Sequence, residues 1–134
     1  MTGPYITEGG GRTADELFGE GGRAYMERHA EELADKIDES WAHIHNDYVM
    51  NGMYSRGVLS TAVRELCAVA ALTVLSHPEE LEPHIRFALR SNPPEHVREV
   101  ILQMSVYGGV PVALNGLRLF DEVAANLSGG ASET

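Results

Sequence analysis

A chain of 134 residues, 43% of them hydrophobic, is long enough for one globular domain with a core of its own. The formal net charge of −10 comes without any cluster of lysine and arginine, which excludes a nucleic-acid-binding protein. The longest apolar run, residues 66–75, is shorter than the roughly 20 residues that cross a bilayer, so we expect no membrane partner. The single cysteine, Cys67, cannot form an internal disulfide, and we expect a cytoplasmic protein.

The first half of the chain predicts an arm followed by helices. Residues 1–12 are rich in glycine and are predicted to form a flexible arm. A short helix follows and is broken by the pair Gly21-Gly22. From residue 23 to about 48 the apolar side chains recur every three or four residues, which predicts one amphipathic helix. Its buried stripe is expected to comprise Tyr25, Met26, His29, Leu33, Ile37, Trp41 and Ile44 or His45.

The second half predicts further helices separated by proline and glycine. The segment 61–75 is apolar nearly all round, which is typical of a helix buried on most sides. Another helix follows Pro78 and contains Pro83, which can kink it. Residues 128–134 are predicted to form a disordered tail. No alternating strand pattern is present, so we predict a single all-α domain over residues 13–127.

The most suggestive polar residue is His84, which lies on the apolar face of the helix that follows Pro78. It is either a core histidine bonded to a carbonyl or an acid–base group in a half-buried pocket. Glu65, on the preceding helix, can orient an imidazole and hold its tautomer. A carboxylate in the first turns of a helix is, however, also stabilising by itself.

Two other sets of residues invite a chemical interpretation. His43 and His45 stand two apart, so on a helix they point to nearly opposite sides, and a third ligand is missing. We therefore predict no metal site. Cys67 lies in a very apolar run, where we expect a buried and inert thiol.

Four sequence motifs follow one another between residues 64 and 111, and the segment Tyr54-Ser-Arg-Gly-Val-Leu59 precedes them as a connector. They are Arg64-Glu-Leu with Ala70-Ala-Leu72, Glu80-Leu81 with His84 and Ala88-Leu89, Val97-Arg-Glu-Val-Ile-Leu-Gln103, and Val106-Tyr-Gly-Gly-Val-Pro111. Through them the sequence resembles the carboxymuconolactone decarboxylase family over about residues 48–124. The resemblance implies an orthogonal helical bundle of the carboxymuconolactone decarboxylase and alkylhydroperoxidase D type. It also implies a homotrimer or homohexamer, with an active site near His84 at a subunit boundary.

The family has two branches, and the resemblance bears on both. The branch similar to alkylhydroperoxidase D reduces peroxides with a CxxC pair, whose positions are occupied here by His77 and Glu80. Both thiols are thus absent. In that branch a glutamate that relays protons precedes the histidine, and Glu65 stands at the same distance before His84 in this sequence. The other branch decarboxylates a small carboxylated lactone and uses no cofactor. Pro83, close to the proposed site, departs from that branch and suggests a different substrate.

The resemblance leads to a prediction with named residues. We expect a cofactor-free lyase or isomerase that acts by acid–base chemistry on a small carboxylated lactone or enolisable cyclic compound. His84 is the predicted acid–base catalyst and Glu65 its partner. The predicted substrate-binding residues are Arg56, as an anion anchor, and Trp41, Tyr48 and Tyr54, as pocket walls. The alternatives are a non-catalytic, oligomeric small-molecule-binding protein of the same fold and a peroxidase that uses Cys67 alone.

Overall fold

The structure, a computed structural model, describes residues 3–132, with side chains up to residue 129. Within that range the chain forms helices and no β-strand, so the predicted all-α class is confirmed. The chain divides into two compact units, the first ending at Thr61 and the second beginning at Ala62. The helices before this boundary are α1 (Glu8–Phe18), α2 (Gly22–Lys36) and α3 (Glu39–Tyr48), followed by a 3₁₀ turn (Met53–Ser55). The later helices are α4 (Thr61–Leu75), α5 (Pro78–Ser91), α6 (Pro94–Gln103), α7 (Ser105–Gly108) and α8 (Val110–Ser132).

The N-terminal segment is packed, which corrects the flexible arm predicted for residues 1–12; Met1 and Thr2 lie outside the described residues. The side chains of Tyr5 and Ile6 are buried in the core of the first unit. Their backbone N–H groups donate to the carboxylate of Glu27 at 3.0 and 2.8 Å. Thr7 then caps α1 by accepting a hydrogen bond from the N–H of Gly10 at 3.0 Å. The segment is ordered by contacts with α2 that its own composition does not reveal.

The glycines of this segment serve close packing rather than flexibility. A Cβ atom on Gly10 would lie 2.1 Å from Oδ1 of Asn51, and one on Gly11 would lie 2.9 Å from Cδ of Arg23. Both glycines are buried within α1. Their lack of a side chain therefore lets the partner side chains approach the α1 backbone.

The single amphipathic helix predicted from residue 23 to about 48 is two helices, α2 and α3. The chain breaks at Asp38, which is extended and caps α3 by accepting a hydrogen bond from the N–H of Trp41 at 2.7 Å. The break changes which side of α3 faces the core, because Ala42 and Asn46 are its buried residues. The prediction that Ile37, Trp41 and Ile44 form a buried stripe is therefore wrong: their exposed fractions are 54%, 39% and 64%.

The second unit has its own core, formed by α4, α5, α6 and α8. Its buried apolar side chains are Val69, Leu81, Ile85, Ala88, Val97, Ile101, Phe120 and Val123. Helix α8 approaches α4 and α6 closely at Gly116, where a Cβ atom would lie 2.8 Å from Cγ2 of Ile101 and 3.2 Å from Cγ2 of Thr73. A glycine is needed there because any side chain would push these neighbours away.

Helix α4 is buried along one face only, which corrects the prediction that it is buried on most sides. Glu65, Val69 and Thr73 stand four residues apart and form the buried face. Val63 and Leu75 are 41% and 61% exposed. An apolar composition alone thus did not indicate how many neighbouring elements cover this helix.

The connection from α4 to α5 is a tight C-terminal cap. Ser76 is left-handed, with φ +57°, and its N–H donates to the carbonyl of Thr73 while that of His77 donates to the carbonyl of Leu72. This pair of hydrogen bonds is the Schellman motif, which most often uses glycine at the left-handed position. Helix α5 then begins at Pro78 and continues through Pro83 without a break.

The end of the chain is more helical than predicted. Helix α8 continues to Ser132, which corrects the disordered tail expected from residue 128, and residues 133–134 lie outside the described range. Across residues 3–132, no helix is both long enough and apolar enough to span a bilayer.

The free energy of unfolding is expected to depend on pH through His45. Burial of its imidazole, and secondarily the neighbouring His29, lower the pKa of His45 from the ordinary value of 6.5. Because the unfolded chain takes up the proton first as the pH falls, this contribution to stability is complete above pH 6.5 and is lost progressively below it.

The measurement is urea-induced unfolding, followed by circular dichroism, above and below pH 6.5. His45→Gln should weaken the loss of stability on acidification. The matched control is His96→Gln, which replaces an exposed histidine of α6 and should leave the loss as in the wild type. Equal losses in the His45→Gln variant and the wild type would contradict the prediction.

Candidate active site

The structure brings together the two residues predicted to carry the chemistry. Glu65 lies on the buried face of α4, and His84 lies on α5, next to the buried Ile85. The Nδ1 atom of His84 is 2.7 Å from Oε2 of Glu65, within hydrogen-bonding distance. The pair links two helices of the second unit, α4 and α5, through a side-chain hydrogen bond.

The pair differs strongly in exposure to solvent. The Glu65 side chain is 1% exposed, whereas that of His84 is 30% exposed. A carboxylate has only acceptor atoms, so Nδ1 of His84 donates the hydrogen bond to Glu65. The tautomer with the proton on Nδ1 is thereby favoured, and Nε2 remains to exchange a proton with another molecule. Nε2 has no protein hydrogen-bond partner among the described residues.

A third residue, Phe87, holds the imidazole from another side. The rings of His84 and Phe87 meet edge to face, with 5.7 Å between centroids and an interplanar angle of 83°. Our sequence predictions did not include Phe87, although residues three apart on a helix are neighbours and the spacing could have indicated it. A histidine bonded to a carboxylate and packed against an aromatic ring has a defined orientation.

The buried carboxylate constrains both members of the pair. A carboxylate removed from water is costly unless it is paired and hydrogen-bonded. His84 provides that partner, so the predicted alternative of a core histidine bonded to a carbonyl does not describe its Nδ1 contact. The same bond can therefore stabilise the fold and orient an acid–base group.

The predicted substrate-binding residues all belong to the first unit. Trp41, 39% exposed, stacks on His45 with 5.0 Å between ring centroids. Tyr48 is 68% exposed, while Tyr54 is half-buried and packs against the core of that unit. Arg56 is exposed, just beyond the 3₁₀ turn. Their roles in binding a substrate stay predictions.

The histidines that suggested a metal have separate aromatic contacts. His43 stacks on Tyr5, with 4.2 Å between centroids, whereas His45 stacks on Trp41. No group of three His, Cys, Asp or Glu side chains in the described part of the chain is placed to hold a metal ion.

Cys67 is exposed, which corrects the buried thiol predicted for it. It follows Glu65 by two residues, and side chains two apart on a helix point to nearly opposite sides. Because Glu65 faces the core, Cys67 faces away from it. His77 and Glu80, at the positions of the peroxidase thiols, are also exposed.

Comparison with known proteins identifies relatives of this chain. The family model described as "Carboxymuconolactone decarboxylase family" matches residues 40–122, a segment that contains both Glu65 and His84. A protein of Acinetobacter baylyi named 4-carboxymuconolactone decarboxylase is 25% identical over 107 residues, which cover 79% of each chain. These similarities confirm the resemblance predicted from the motifs and support a decarboxylase-like or related function. The chain belongs to the carboxymuconolactone decarboxylase family.

Proposed function

We propose that the protein is a cofactor-free lyase or isomerase that acts by acid–base chemistry at His84 on a small carboxylated lactone or enolisable cyclic compound. The observation that carries the proposal is the bond between His84 and the buried Glu65, combined with a partly exposed imidazole. Family membership and the name of the Acinetobacter baylyi relative support a lyase reaction.

For a decarboxylation, the proposed role of His84 is to protonate a ring carbon. Loss of CO2 breaks a carbon–carbon bond and leaves its electron pair delocalised into the ring carbonyl as an enolate. Protonated His84 donates the Nε2 proton to the ring carbon, and the electron pair forms the new carbon–hydrogen bond. The neutral imidazole then regains a proton from water, so no net oxidation or reduction occurs. Glu65 stabilises the protonated imidazole throughout.

Arg56 remains our proposed anchor for the substrate carboxylate, and Trp41, Tyr48 and Tyr54 remain the proposed walls of its pocket. An arginine at that place would offset the repulsion that a chain with net charge −10 exerts on an anion. The exposed aromatic rings of Trp41 and Tyr48 can cover an apolar ring of a substrate. Both assignments rest on residue chemistry and on the family resemblance.

A peroxidase reaction at Cys67 is the second candidate, and the exposure of its thiol is the observation that favours it. In such a reaction the thiolate attacks the peroxide and is oxidised to a sulfenic acid, while the peroxide is reduced to an alcohol, and an added thiol reductant then returns the sulfenic acid to the thiol for the next turnover. Cys67→Ser would abolish peroxide consumption if this candidate is correct. Unchanged consumption, or none in the wild type, would exclude it.

The decisive measurement for His84 is CO2 release from 4-carboxymuconolactone. Because His84 supplies the proton, His84→Asn should lower kcat by about 10²–10⁴-fold, the usual contribution of a general acid. Asparagine is chosen because its amide nitrogen can take the place of Nδ1 and keep the hydrogen bond to Glu65.

His96→Asn, on an exposed position of α6, is the matched control and should leave kcat unchanged. Release of CO2 at the wild-type rate by folded His84→Asn would disprove the role of His84. No release by the wild type would instead disprove this substrate, and a folded protein that binds ring carboxylates without turnover would favour the non-catalytic alternative.

Glu65 is expected to act as a positioning residue through His84. Glu65→Gln keeps an acceptor oxygen for Nδ1 but removes the negative charge that stabilises a protonated imidazole. We therefore expect kcat to fall by about tenfold or more while KM changes little, since a charge-assisted hydrogen bond is worth about 1.5–3 kcal/mol. Glu99→Gln, at an exposed site on α6, is the control. A rise in KM with unchanged kcat would contradict the positioning role.

We also propose that the protein assembles as a homotrimer or homohexamer, as the family resemblance implies. Exposed apolar side chains support this, among them Leu75, Val110 and Leu114, which are 61%, 61% and 55% exposed. Monomeric proteins rarely leave large apolar patches in water.

Light scattering coupled to size-exclusion chromatography measures the mass of the assembly. Leu114→Glu should shift it towards the monomer, because a charge would be buried at the contact. Gln103→Glu adds the same charge at an exposed position of α6 and should leave the mass unchanged. A wild-type protein with the mass of one chain would contradict the proposal.

A further inference from the structure

The second unit contains a cavity, open to solvent, that the proposed reaction does not use. It has a volume of about 350 Å³ and lies where α4 ends and α5 begins, beside α8. Its apolar wall includes Leu72, Leu81, Val112 and Leu119. This volume is at the lower end of the range typical of small-molecule sites, and the combination of an apolar wall with a few polar groups is characteristic of them.

The cavity is built by two local features of the backbone. Gly116 lies in its lining and has no side chain to fill it, while α8 is held close to α4 and α6 at that residue. Ser76, the left-handed residue of the α4–α5 connection, also lines the cavity. The cavity therefore results from the way in which the helices pack.

Arg118 gives the cavity its charge preference. It lines the cavity together with Asn115 and His77, which can donate hydrogen bonds. Arg118 makes no ion pair or side-chain hydrogen bond with any residue in the described range. A guanidinium without a protein partner, beside an apolar wall in a chain of net charge −10, is a suitable binding group for a carboxylate.

Glu122 limits which anions fit. It lines the same cavity one helical turn after Arg118 and contributes a negative charge. One cation and one anion at the same cavity favour a ligand with a single carboxylate, because a second carboxylate would be repelled by Glu122.

The cavity has a different lining from the site of the proposed reaction, although Leu81 of its wall stands one helical turn before His84 on α5. Neither Glu65 nor His84 lines it. On α4, Glu65 precedes the cavity residue Thr73 by two helical turns, about 12 Å along the helix axis at 1.5 Å per residue. The cavity therefore lies at the opposite end of α4 from Glu65.

We propose that this cavity binds a small monocarboxylate with an apolar ring. The carboxylate pairs with Arg118, Asn115 donates a further hydrogen bond, and the ring lies against Leu72, Leu81 and Leu119. The proposal does not depend on the reaction assigned to His84.

The test is a titration of the ¹⁵N-labelled protein with sodium benzoate at constant ionic strength, followed by amide chemical shifts. Saturable shifts are expected at Ser76, Asn115, Gly116 and Leu119. Benzamide, which has the same ring but no charge, should bind at least about tenfold more weakly, because a hydrogen bond to a charged group is lost.

Three variants make the test specific to the cavity. Arg118→Gln should weaken benzoate binding by about tenfold, whereas Arg98→Gln, which removes the same charge from an exposed position of α6, should not. Glu122→Gln should strengthen binding, the opposite direction, because it removes a negative charge beside the ligand.

The proposal is overturned by the absence of a saturable shift, by equal affinity for benzoate and benzamide, or by equal affinity of wild type and Arg118→Gln. The variant His84→Asn tests whether benzoate binding in the cavity is independent of the reaction proposed at His84. Unchanged benzoate binding in that variant supports the separate cavity site, whether or not CO2 release is lost, and shifts confined to Glu65 and His84 overturn it.

Discussion

The hydrogen bond between the buried carboxylate of Glu65 and the imidazole of His84 is the constraint on which the second unit depends. A carboxylate that is 1% exposed needs a partner, and only His84 is seen to bond it among the described residues. The partner must therefore stand at one place on α5, and Val69 of α4 and Ile85 of α5 belong to the same buried cluster. Stability and the orientation of an acid–base group thus require the same geometry.

The two compact units differ in what their polar residues do. In the first unit, Glu27 and Asn51 bond the backbone of residues 5–7 and so hold an extended segment in place. In the second unit, the buried polar pair links one side chain to another and leaves the outer nitrogen of His84 available. Polar groups therefore hold the backbone in place in the first unit, whereas in the second unit Glu65 orients the imidazole of His84.

Local signals determined how well each element was predicted from the sequence. Pro78 indicated a helix start in the sequence itself, and the family resemblance named Glu65 as the partner of His84, whereas their contact is known from the structure alone. The break at Asp38 was missed because the apolar spacing continues across it, and only the cap on the N–H of Trp41 reveals a new helix. The order of residues 5–11 was missed because it depends on contacts with Glu27 and Asn51, which are distant in sequence. The cavity beside Arg118 depends on three helices meeting, which no local pattern encodes.

The stack of Trp41 on His45 has a spectroscopic consequence. Trp41 is the only tryptophan of the chain, and its ring lies nearly parallel to the imidazole, at an interplanar angle of 10°. A protonated imidazole in such contact quenches indole emission, so the intrinsic fluorescence reports the charge of His45. Because the second unit has no tryptophan, this emission follows the first unit alone, while circular dichroism follows the helices of both. One sample therefore carries two optical signals that can tell whether the units unfold together.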